Sequence, residues 1–215
     1  MTPTSLTRLA YLGSTDRAEL NQLLDDSTVG HFAFTADERP VAMPTAIARD
    51  GDRILAHGST GSGWMRLLST GIPASLAVTS LEGLVVARSA FESSMLYRSA
   101  VLFGRCEQVQ GQHDKQAALD VLTDAFLAGR AAEIRRPSQR ELAATLVLAF
   151  PIREWSLKIS HDWPEDSEED VAGAAWAGMV SLSTVVADVR EAPDLRDGIP
   201  IPASVRQLLD RRSRQ

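Results

Sequence analysis

The sequence predicts a mainly β fold, a small barrel with helical covers. Several short stretches alternate apolar and polar residues with a two-residue period. The cleanest is Glu154–Ser160, where Trp155, Leu157 and Ile159 alternate with Glu154, Ser156 and Lys158. Tight-turn signals, Asp50-Gly51 and Glu82-Gly83, join successive stretches. Helical patterns interrupt the strands at only a few places, whereas a doubly wound α/β fold needs a helix after nearly every strand.

Each element has a local reason. Residues 1–15 read as an arm lying on the body. Thr15 or Asp16 caps a helix running through Asp26, with Leu20, Leu23 and Leu24 on its buried side. Residues 29–35 form a strand with His31, Ala33 and Thr35 on one face and Phe32 and Phe34 on the other. Glu38-Arg39-Pro40 turns the chain into a strand over 41–49, where Pro44 implies an edge, a bulge or an opening in the ladder. Asp50-Gly51 pairs it with a strand over 53–57. A glycine-rich loop follows, and Ser62 caps a helix whose apolar face is Trp64, Met65, Leu67 and Leu68.

Gly71 and Pro73 stop that helix. A strand over 74–79 turns at Glu82-Gly83 and returns over 84–88. Residues 89–97 form a serine-rich connection, and a further strand runs over 99–109. An amphipathic helix spans 112–128 through Leu119, Leu122, Ala125 and Phe126. A short helix near 138–144, an apolar stretch over 146–150 and the strand Glu154–Ser160 follow. The acidic segment 162–170 reads as a solvated loop. Residues 172–187 read as strand and loop with Trp176 and Met179 packing back, then come a proline-rich connector and a terminal helix from Ser204.

At 215 residues the chain reads as a single domain over 1–215, with an N-terminal arm and helix and a C-terminal extension from about residue 180. A net charge of −6 argues against nucleic acid as the main partner. No apolar run reaches membrane-span length and the start lacks a signal-peptide pattern, so a cytoplasmic protein is expected. Cys106 is alone, which leaves no disulfide framework and no cysteine-based zinc site. The four histidines, His31, His57, His113 and His161, lack metal-ligand spacing, so no metal site is expected.

The loop after His57 is the stretch best suited to a ligand. Gly58, Gly61 and Gly63 permit close backbone approach, Ser59, Thr60 and Ser62 add hydroxyls, and a helix start supplies free N–H groups. Arg66 lies one turn in. The pattern is neither a P-loop, since no Lys follows the glycines, nor a dinucleotide fingerprint. A tight strand-to-helix turn accounts for the same residues. His57 either meets a ligand there or is a hydrogen-bonded strand-end histidine. Arg88 and Arg98 bracket the serine-rich connection, and each suits a phosphate or a carboxylate.

Three stretches together resemble the FMN-binding split-barrel family, the pyridoxamine 5'-phosphate oxidase-like group that includes nitroimidazole-resistance proteins. They are DGDRILAHGSTGSGWMRLL (50–68), GLVVARSAFESSMLYRSAVLFG (83–104) and WSLKISHDWPEDSEEDVAGAAWAG (155–178). The resemblance implies a six-stranded antiparallel Greek-key split β-barrel with peripheral helices. It also implies a homodimer with FMN at the subunit interface. On that likeness Thr45, Ala46 and Ile47, with Leu55, Ala56, His57 and Gly58, lie along the isoalloxazine. Ser62, Gly63, Trp64 and Arg66 hold the phosphate, and Tyr97, Arg98 and Arg88 complete the site. Many relatives carry Lys or Arg where this chain has Gly63, which leaves the phosphate to the arginines and backbone N–H groups. Relatives also use deazaflavin or haem, and His57 is the obvious haem-ligand candidate. The implied function is an FMN-dependent oxidoreductase acting on a small molecule; a flavin- or haem-binding sensor, carrier or store without turnover is the alternative.

Overall fold

Short-range signals set most of the elements in the computed structural model, which describes residues 9–212, with side chains through Asp210. The first eight residues of the expected arm lie outside the described residues. After a 3-10 turn at Ala10–Leu12 comes β1 (Gly13–Ser14), and then the Asp16 carboxylate accepts from the Ala18 N–H to start α1 (Arg17–Asp26). Its Leu20, Leu23 and Leu24 are buried, as their spacing predicts. β2 (Val29–Ala36) buries Phe32 and Phe34 and exposes His31, Ala33 and Thr35.

Asp37 and Glu38, both at positive φ (48° and 61°), make the two-residue turn into β3 (Arg39–Ala46). β3 ends its sheet, which is how Pro44 is tolerated. The strand expected over 41–49 breaks at Ile47. This side chain enters the core while its N–H donates to the Thr28 carbonyl at 3.0 Å. The chain resumes as β4 (Ala48–Asp50) in a second sheet and turns at Gly51 (φ 59°) into β5 (Arg53–Ser59), which leads to α2 (Gly63–Ser69).

β6 (Pro73–Val86) runs straight through Glu82-Gly83, where a turn is expected. The glycine marks a bulge instead. The register with β7 (Ser94–Arg105) shifts between Leu81 and Gly83, and a Cβ on Gly83 would stand 2.7 Å from the Val180 carbonyl and 2.9 Å from Leu96 Cδ1. β7 starts at Ser94, so Tyr97 is a strand residue rather than the end of a connection. It ends before Cys106, and β8 (Glu107–Gln108) joins the second sheet. Then come α3 (Gln112–Phe126), α4 (Gln139–Ala144) behind a Ser138/Glu141 capping box, β9 (Thr145–Pro151), β10 (Glu154–Ser160), α5 (Glu168–Val171), β11 (Gly178–Ser181) and α6 (Ala203–Arg212). Of the strand expected within 172–187, only β11 forms.

All strand pairs are antiparallel. The larger sheet runs β1-β10-β7-β6-β2-β3, with β11 pairing β6; the smaller runs β4-β5-β9-β8. They close on a core that includes Phe32 and Phe150, whose rings meet edge-on at 5.5 Å. The middle of the smaller sheet, β5 and β9, packs a core on each face. Ile54, Ala56, Leu146, Leu148 and Phe150 face the main core, while Leu55, Val147 and Ala149 pack with Ala118 and Leu122 of α3 in a second cluster. This is the mainly β fold with helical covers that the sequence predicts. Trp155 packs on the main core, whereas Trp176, expected to pack back, is exposed. Among the described residues no helix is long and apolar enough to cross a membrane.

Candidate functional site

The glycine loop leaves β5 and enters α2 as predicted, held by Thr60 N–H to the Ala144 carbonyl (2.9 Å) and Ser62 N–H to the Ser59 carbonyl (2.9 Å). Ser62 occupies the cap position, yet its side chain makes no capping hydrogen bond, contrary to expectation. The first N–H groups of any helix lack intrahelical partners, and the space beside Gly63 is open. Gly58 serves packing: a Cβ there would press on Met65 Cγ at 3.1 Å. Trp64 is half-buried against the main core. Arg66 is exposed, and its guanidinium has no hydrogen-bond or ion-pair partner among the described residues.

The strand residues in the predicted site divide by face. Ile47, Leu55 and Ala56 are fully buried, so only their backbone is available to a ligand. Thr45 pairs with Gly30, and Ala46 with Val29 at the edge of the larger sheet. The outer face of that sheet carries a row of mostly small or apolar residues, Pro44, His31, Ala77, Val101 and Ser156, joined strand to strand by direct pairing. At one end of this face Tyr97 pairs with Ser160, and the Lys158 ammonium lies 6.0 Å from the Tyr97 ring centroid.

The two bracketing arginines are not free. Arg88 donates from Nη1 to Asp166 Oδ2 at 2.9 Å, and its backbone N–H donates to the same carboxylate. Arg98 holds Glu82 and, at 3.0 Å, Asp26. Burial works against the Arg98 charge, but the hydrogen bonds to the two carboxylates overcome it and raise the pKa. Among the arginines singled out from sequence, Arg66 is therefore the one available to an incoming anion.

His57 has an address that the sequence does not reveal. It pairs with Val147 and shares the Leu55 face, so it looks toward α3 and away from α2. It lines a cavity of about 410 Å³ with Leu119, Thr123, Ile134, Arg135 and Arg136. Part of the residue stays in contact with solvent, and the protein mass around the ring desolvates it enough to lower its pKa. A neutral imidazole with an available lone pair is the result. Arg135 pairs bidentately with Glu141 at the rim, and Arg136 pairs with Asp120.

Sequence reasoning missed Lys158, Arg135, Arg136 and Asp166. The first is legible only once β7 and β10 are in register. The next two look like surface charges until α3 folds over β5. Asp166 sits in the segment expected to be solvated, yet its side chain is 1% exposed. Among the described residues no group of three or more His, Cys, Asp or Glu is placed to hold a metal ion.

Comparison with known proteins adds an independent line. Residues 16–159 match a family model described as pyridoxamine 5'-phosphate oxidase. Among solved structures, the FAD and heme binding protein from Mycobacterium smegmatis is 48% identical with a TM-score of 0.89, covering 92% of this chain and 97% of that one. The flavocytochrome Anf3 from Azotobacter vinelandii is 29% identical with a TM-score of 0.90, covering 96% of each chain. No curated protein matches.

Proposed function

The chain belongs to the pyridoxamine 5'-phosphate oxidase family, and from that premise we propose that it is a flavin-dependent redox protein that also holds a haem. The observation carrying this reading is the likeness, along almost the whole chain, to a protein that binds FAD and haem. It supports FAD beside the FMN that the split-barrel resemblance alone implies, and it supports haem as a companion of the flavin.

The residues present suit both groups. For the flavin, the open start of α2 at Ser62, Gly63 and Trp64 offers N–H groups to phosphate, and the unpartnered Arg66 offers charge. Thr45, Ala46 and the Tyr97 end of the outer sheet face offer a surface for the ring system. For the haem, His57 offers a neutral imidazole in a cavity with Leu119 and Ile134 on its walls. A flavin supplies hydride or single-electron transfer and a haem supplies single-electron transfer; the protein binds, orients and shields them. That division of labour fits a site with no paired general acid and base. The outer face of the larger sheet, with Val29 and Leu81 exposed, supports a homodimer that covers it. The substrate under this reading is a small molecule or an electron donor.

Cofactor identity and turnover form one experiment. Flavin released from the purified protein by heat should run as FAD, and NAD(P)H or dithionite under anaerobic conditions should bleach the bound flavin. Flavin bleached by dithionite alone, with no accepted biological reductant, would favour a carrier or sensor over an enzyme. A colourless protein that takes up neither cofactor overturns the proposal.

A further inference from the structure

We propose that the C-terminal extension is a latch on the His57 cavity: α6 holds one wall of that cavity in place through Glu133 and so slows release of the group bound there. The inference rests on the haem reading for the identity of that group. The latch itself is built from this chain's own contacts.

The wall is a single stretch. Ala131, Ile134, Arg135, Arg136 and Pro137 all line the cavity, and all belong to the connection between α3 and α4. Beyond a 3-10 turn at Arg130–Ala132 this connection has no regular structure. Gly129, at φ 83°, stands at its start. A stretch without a helical or strand ladder is positioned by individual side-chain ties, and local opening is governed by how many it has. The Ala131 N–H donates to Asp124 Oδ1 at 2.8 Å, Arg136 pairs with Asp120, and Arg135 pairs with Glu141. These ties reach only α3 and α4, the two helices that the wall joins.

Glu133 reaches elsewhere. Its carboxylate accepts from the Ser204 N–H at 2.9 Å and from the Ser204 hydroxyl, 71 residues along the chain. Ser204 lies in the first turn of α6, where N–H groups lack intrahelical partners and the helix dipole favours a negative charge. It is 2% exposed, and among residues 181–210 it alone is buried. The extension is thus anchored at one residue, and that residue meets the wall beside Ile134.

This arrangement couples two equilibria. Docking of α6 favours the seated wall, so its hydrogen bonds add to the cost of opening. The coupling is reciprocal: a group that keeps the wall seated also favours docking of α6. Occupancy of the cavity is thereby communicated to the C-terminal extension.

The test mixes full-length, haem-loaded protein with excess apomyoglobin and follows haem transfer by the Soret band of the acceptor. Glu133→Ala should speed transfer about tenfold, the equivalent of one charge-assisted hydrogen bond. Ser204→Ala, which keeps the N–H contact, should speed it less. The double variant should be no faster than Glu133→Ala, because both substitutions break one tie. Hydrogen exchange over 130–137 should rise in the same order. With the Soret band intact, transfer and exchange in Glu133→Ala equal to the parent would overturn the latch alone. So would a Ser204→Ala variant indistinguishable from the parent, since the wall would then depend on Glu133 without α6. A parent protein without a Soret band would overturn the haem reading, and the latch's cargo with it.

Discussion

Asp166→Ala should destabilise the fold far more than any neighbouring acid in 162–170. The Asp166 carboxylate is 1% exposed and accepts from both the backbone N–H (2.9 Å) and the guanidinium (2.9 Å) of Arg88, 78 residues away. It thereby ties the segment after β10 to the end of β6. Removing one partner of a buried ion pair typically costs about 3–5 kcal/mol, because the other is left without compensation. Arg88 retains 27% of its side-chain exposure and can partly rehydrate, which lowers the expectation to about 2–4 kcal/mol. For a chain of this size that corresponds to a fall in Tm of about 5–15 °C. Chemical denaturation of Asp166→Ala beside Glu169→Ala measures it directly. Glu169 is exposed and should stay within about 0.5 kcal/mol of the parent. Equal stability of the two variants would refute the reasoning, since it would mean that Arg88 and its N–H find water as readily as they find Asp166.

Arg66→Ala should weaken flavin binding to the apoprotein by about one to two decades, the worth of a charge-assisted phosphate contact, whereas Arg53→Ala, whose guanidinium is occupied by Asp50, should change it little; fluorescence titration at fixed salt checks both. Gly83→Ala should lift β11 from β6, because the added Cβ meets the Val180 carbonyl at 2.7 Å, and hydrogen exchange over 178–181 should rise while β7 stays protected. Glu133 accepts from the Ser204 hydroxyl and backbone N–H at the start of α6, and these bonds, with a smaller contribution from Arg130, hold its pKa below the ordinary 4.5. A depressed carboxylate contributes stability that is present above its unfolded pKa and lost as pH falls through the folded one, so α6 should gain hydrogen exchange on acidification below about pH 4.5 and stay docked at neutral pH.

Much of the fold can be read from local pattern, and the failures share a cause. Two-residue alternation identifies β2 and β10, and capping chemistry places α1, because those signals depend on neighbours in sequence. Glu82-Gly83 misleads because one dipeptide suits both a turn and a bulge, and only the approach of Val180 decides between them. The 41–49 stretch misleads because a strand can change sheets at one buried residue, Ile47, without changing its alternation. The candidate site is legible in its glycine loop and in Arg66. Arg88 and Arg98 look like phosphate ligands until folding brings Asp166, Asp26 and Glu82 to them. His57 is recognisable as a ligand candidate, but its direction follows from strand parity: sharing a face with Leu55 sends it toward α3.

The most direct test is the absorption spectrum of the parent protein beside His57→Ala. The parent should show flavin bands together with a Soret band. The variant should lose or markedly shift the Soret band while the flavin bands persist, since His57 faces the α3 cavity and the residues proposed for the flavin lie elsewhere. A Soret band unchanged by the substitution, or a parent protein without flavin bands, would contradict it.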